Sequence, residues 1–85
     1  MAQEVSTQAS AVHRPIAGYI VEFYTYTDGW RQARAGYLWK SERTAEAYRA
    51  KWVADQASAF AWNPDTRVST LVYDNGAVRA QEQAA

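Results

Sequence analysis

Tyr24, Tyr26, Arg31, Tyr37 and Trp39 are the residues whose types and spacing could do chemistry, and that chemistry is recognition. Rings and a guanidinium repeating along two neighbouring segments offer flat apolar area with hydrogen-bonding edges. Those residue types are enriched where one protein grips another. The same rings could stack unpaired bases, as on the sheets of single-strand binders. Lys40 and Arg43 follow and add positive charge, while Ala33 and Ala35 would supply a small-residue floor between the rings. Tyr24, Tyr26, Arg31, Tyr37, Trp39, Lys40 and Arg43 are therefore the candidate partner-binding set.

Chemistry of turnover finds far less to work with. His13 is the sole histidine, far from any carboxylate pattern, and no Ser-His-Asp set can be built from segments that would meet. There is no cysteine, hence no thiol nucleophile, disulfide or thiolate site, and no glycine-rich phosphate loop. The carboxylates are scattered, none at ligand spacing, so no metal and no cofactor is expected. The expectation is a protein that binds and does not catalyse.

Charge narrows the partner. Nine basic and nine acidic residues cancel, and the pI is about 6.6, whereas nucleic-acid-binding domains usually exceed about 9. The balance is uneven along the chain: residues 31–51 hold six basic and two acidic residues, and the segments on either side are net acidic. A protein partner, including a second copy of the chain as a homodimer, is expected ahead of nucleic acid. The start lacks a basic region followed by an apolar one, and no apolar run approaches the roughly 18 residues of a membrane span. A cytoplasmic protein with no membrane partner is expected.

The elements that must position these residues follow from local pattern. Eighty-five residues make one domain, which buries only about 60% of its unfolded surface, so twelve aromatics matter to the core. β-branched and aromatic residues over 18–26 and 30–39 predict two strands, with Asp28-Gly29 as a two-residue type I′ turn. In that register Thr27 opposes Trp30, Tyr24 opposes Ala33 and Ile20 opposes Tyr37. One face would hold Tyr19, Val21, Phe23, Thr25, Trp30, Gln32, Arg34, Gly36 and Leu38. The other would hold Ile20, Glu22, Tyr24, Tyr26, Arg31, Ala33, Ala35, Tyr37 and Trp39. The first face is the expected core, being more aliphatic, with Gly36 making room for a helix. Glu22 is costly to bury, which leaves Ile20, Tyr24, Tyr26, Tyr37 and Trp39 exposed beside Glu22 and Arg31.

Ser41 predicts a helix N-cap, and a helix over 42–60 places Ala45, Tyr48, Trp52, Val53, Gln56, Ala59 and Phe60 on one arc. Asn63-Pro64-Asp65 closes it. Residues 67–73 read as a third strand, Asp74-Asn75-Gly76 as a turn of type I′ character, and 77–80 as a short return. The fold class is α+β, ββαβ(β), with one helix on a small antiparallel sheet. Residues 1–15 form a flexible N-terminal arm, 16–80 the domain and 81–85 a tail.

The tight hairpin around Asp28-Gly29, the helix start Ser41-Glu42-Arg43-Thr44-Ala45-Glu46-Ala47 and the return strand at 67–73 together resemble the small accessory proteins of phages and mobile elements, including anti-CRISPR proteins. The resemblance is one of architecture across most of the chain and carries no diagnostic motif. The balanced charge departs from the acidic, DNA-mimicking kind. The resemblance implies an inhibitor that sterically blocks a large host complex such as a CRISPR effector.

Overall fold

The computed structural model describes residues 14–81. Strands β1 (Ile16–Thr25) and β2 (Gly29–Gln32), helix α1 (Glu42–Phe60), and strands β3 (Thr66–Asp74) and β4 (Ala77–Ala80) follow in that order. The strands form one antiparallel sheet in the order β2-β1-β3-β4, with α1 packed across β1 and β3. The class is α+β and the element order ββαββ. The expectations for residues 1–13, His13 among them, and for 82–85 lie outside the described residues.

β1 and β3 are the centre of the sheet because their β-branched and aromatic residues suit a surface packed on at least one side. They pair from Ile16↔Val72 to Phe23↔Thr66, with an irregularity between Ile16 and Gly18. Tyr19, Val21 and Phe23 face the helix, as their alternation predicts, and Val21 is 1% exposed.

The hairpin register corrects the sequence reading. The pairs are Thr25↔Gly29, Tyr24↔Trp30, Phe23↔Arg31 and Glu22↔Gln32, so the loop is the three residues 26–28. Gly29 takes its positive φ (71°) after that loop, the bulge position of a three-residue hairpin. Thr25 fixes the arrangement: its Oγ1 accepts from the Asp28 amide and donates to the Gly29 carbonyl. The shift from the two-residue register is three positions, and an odd shift turns every side chain of the second strand to the opposite face.

β2 is also shorter than expected. The Ala33 amide still donates to the Val21 carbonyl (2.8 Å), then residues 34–38 loop away, and Trp39 returns to a two-bond bridge with Tyr19 (2.8 and 2.9 Å). Gly36, at φ 76°, serves this turn, with its amide donating to Gln32 Oε1. It makes no room for the helix, since nothing lies within 4 Å of where its Cβ would be. Gly18 is the glycine that makes room: a Cβ there would stand 2.9 Å from both Leu38 Cδ2 and the Trp39 carbonyl oxygen.

The core therefore holds Trp39, 8% exposed, with Val21 and Ala45, and Tyr19, Ala33, Tyr48 and Val68 around them. Trp39 packs on Tyr48 (4.7 Å between centroids), and Tyr37 on Trp39 (4.4 Å). At the other end of the helix Phe23 stacks on Trp52 at 5.0 Å and meets Trp62 edge-on at 5.5 Å. Ser41 caps α1 as expected, its Oγ accepting from the Thr44 amide at 3.2 Å. The helix stops where Ala61 turns left-handed (φ 51°) and its amide returns to the Ala57 carbonyl, before Asn63-Pro64-Asp65 leads into β3. Phe60 falls past the buried arc and is 71% exposed, a correction to the expected helix face. Asn75 and Gly76, at φ 53° and 80°, make the expected type I′ connection to β4.

Candidate partner-binding face

The sheet face turned away from α1 is assembled by alternation from all four strands. β1 supplies Ile20, Glu22 and Tyr24, β2 supplies Trp30 and Gln32, β3 supplies Arg67, Ser69, Leu71 and Tyr73, and β4 supplies Val78. Leu38, seated over Gly18, joins them. Tyr24, Trp30, Leu38, Tyr73 and Val78 each stay about a third to a half exposed. Ile20 is buried, which corrects the expectation that it is open.

Glu22 sits in the middle of this face and is only 13% exposed in its side chain. Burying a carboxylate is costly without partners, and here two are supplied. Arg67 Nε donates to Glu22 Oε1 at 2.9 Å and the Ser69 hydroxyl donates to the same oxygen at 2.5 Å. The Arg67 guanidinium in turn lies 4.0 Å above the Trp30 ring. Tyr24 meets Trp30 edge-on at 5.4 Å and Tyr26 at 6.4 Å. The face thus has an aromatic end, a neutralised polar centre and an aliphatic end.

The structure separates the seven residues expected to act together. Tyr24 and Tyr26 stand at the aromatic end, Tyr26 fully open at 99% on the hairpin loop. Arg31 faces the helix side and pairs with Asp28 at 3.1 Å, so the arginine beside Glu22 is Arg67 instead. Trp39 is in the core, and Tyr37 covers it, with the Arg34 guanidinium 4.1 Å above the Tyr37 ring. Leu38, expected in the core, is on the open face. Lys40 and Arg43 are exposed at the start of the helix, apart from the aromatic end. Sequence reasoning missed Trp30, Arg67 and Tyr73. The alternation of 67–73 opposite Glu22 held the signal for Arg67, and the three-residue loop held it for Trp30.

Among the described residues no cluster of histidine, cysteine or carboxylate groups could hold a metal ion, and no helix is long and apolar enough to cross a membrane. No protein-family model, curated protein or solved structure matches the chain.

Proposed function

We propose that this chain is a non-enzymatic protein-binding module that docks through the open face of its sheet. The observation that carries the reading is the set of large apolar side chains left part-exposed on the face opposite the helix. They are arranged around an arginine already fixed on a tryptophan ring. Aromatic and arginine anchors that are held in place before binding lose little entropy when a partner closes over them. Glu22 neutralises Arg67 from within the same face, which favours a protein surface over a phosphate backbone. The finer form of the proposal, a phage-type inhibitor occluding a host defence complex, is supported by the architectural resemblance of the hairpin, helix and return strand.

The test is capture from a bacterial lysate by the tagged protein, with and without nuclease, using the native chain and a Trp30→Ala/Tyr73→Ala variant. The expected outcome is a protein partner that survives nuclease and is lost from the variant while its fold is kept. Recovery of nucleic acid that nuclease removes would transfer the face to base stacking, with Tyr24, Tyr26 and Trp30 as the platform.

A further inference from the structure

A cleft opens at the hairpin end of the molecule, where residues 24–26 and 62–65 run side by side. The Tyr24 amide donates to the Asp65 carbonyl at 2.9 Å and ties the two walls together. The cleft between them measures about 420 Å³ and is lined by Tyr24, Thr25, Tyr26, Trp62, Asn63, Pro64 and Asp65. Its size falls in the range of small-ligand sites, roughly 300–1,000 Å³.

Three rings and one carboxylate define its chemistry. The Tyr24 and Tyr26 rings stand nearly perpendicular, at 78°. Trp62 is braced from the core side by Phe23 and by Trp52, at 5.5 and 5.8 Å, so its indole is held while part of it stays open. Asp65 is the sole charged residue of the lining, and it forms no ion pair among the described residues. The nearby carboxylates are already engaged, Asp28 with Arg31 and Glu22 with Arg67. Aromatic faces carry negative potential, and a carboxylate beside them adds to it, so the group such a cleft favours is a cation.

We propose that this cleft takes a lysine or arginine side chain presented on an extended segment of a partner protein. The inference rests on the protein-binding reading above and names the partner's chemistry at a site that shares Tyr24 with the open face. A nucleic-acid strand would bring phosphates to Asp65. A proline-rich segment would use the rings and leave the carboxylate without a role.

The test is an NMR titration of the labelled full chain with short peptides that are identical and uncharged except at one central position, occupied by lysine, arginine or norleucine. Oligothymidine and a proline-rich peptide serve as rivals. The Trp62 indole N–H and the Tyr26 and Asp65 amides are expected to shift with the cationic peptides. The norleucine peptide is expected to need about ten-fold more ligand, and Asp65→Asn and Tyr26→Ala to weaken the lysine peptide about three- to five-fold each. Tyr26 lies fully open on its loop and Asp65→Asn keeps the side-chain shape, so an unchanged amide spectrum elsewhere certifies the fold. Norleucine binding as well as lysine, or either rival saturating the cleft at lower concentration, overturns the proposal. An Asp65→Asn chain that captures the protein partner undiminished, while Trp30→Ala/Tyr73→Ala loses it, sinks the cleft and leaves the open face standing. Selective lysine binding without any protein partner for the open face does the reverse.

Discussion

The Arg67 guanidinium rests 4.0 Å above the Trp30 ring and its Nε donates to Glu22 at 2.9 Å, so one side chain joins three strands of the sheet. A double-mutant cycle between Arg67→Ala and Trp30→Ala, read by urea unfolding, is expected to give a coupling of about 0.5–1 kcal/mol. Glu22→Ala is expected to cost about 1–3 kcal/mol, because it strands the Arg67 and Ser69 donors together. Independent, additive losses at Arg67 and Trp30 would mean that the stacking carries no energy.

Gly18 and Gly36 are both glycines for different reasons, and alanine distinguishes them. Gly18→Ala forces its Cβ against Leu38 and the Trp39 carbonyl and is expected to destabilise by about 1–3 kcal/mol. It should also perturb the Tyr19–Trp39 bridge, seen as faster amide exchange at both residues. Gly36→Ala meets nothing within 4 Å, and only its left-handed backbone resists the change, at about 1–2 kcal/mol. Its amide-exchange effects should stay confined to the 34–38 loop.

Trp39 and Tyr37 touch, yet they should behave as core and cover. Trp39→Ala is expected to cost about 3–5 kcal/mol in chemical denaturation, enough to unfold much of a small domain. Tyr37→Ala removes an exposed ring and is expected to cost about 1 kcal/mol through its edge contact and the Arg34 stack. Equal losses would contradict the burial difference between them.

Asp74 sets an acid-sensitive element at the far end of the sheet. The hydrogen bond from Arg79 first, and then that from Arg14, hold its carboxyl below the ordinary carboxylate range. A lowered folded value means the stabilisation is complete above the unfolded carboxylate pKa and disappears as pH falls through the folded one. Asp74→Asn is thus expected to lower stability slightly at neutral pH and to converge on the native chain as pH falls through the lowered pKa of the folded carboxyl. Added salt should shrink the neutral-pH difference, because the arginines are part-exposed. A difference that persists in acid would point to a packing role instead.

Much of this fold is legible in residue types. Ser41 before a helix-forming run, and Asn75-Gly76 after a β-branched one, each have a single local solution, and both ends appear where the sequence puts them. Asp28-Gly29 had two solutions. Glycine at positive φ serves a two-residue turn or the bulge after a three-residue loop, and the Thr25 hydroxyl selects the second. That choice moved Trp30 out of the expected core and Ala33 into it, while the 34–38 loop and the Tyr19–Trp39 bridge put Leu38 on the open face and Trp39 in the core. The break in β2 depends on Leu38 finding Gly18, a contact between residues far apart in sequence that no local pattern encodes. The cleft is hidden for the same reason, since its walls are segments far apart in sequence that meet through the pairing of β1 with β3, the Tyr24–Asp65 hydrogen bond and the Phe23–Trp62 contact.

The strand order has a consequence for the chain during its synthesis. β1 is made first but occupies the interior of the sheet, and one of its edges is filled only by β3. Until residues 66–74 have cleared the ribosome, the hairpin has neither its third strand nor a completed seat for the helix. Through that interval the β3-facing edge of β1 stays unpaired, a window for premature pairing with other chains. The closure that brings residues 16–23 to residues 66–72 is the strand pairing of longest sequence separation, so stabilising either hairpin alone is expected to do little to hasten refolding, as stopped-flow measurements on such variants would show.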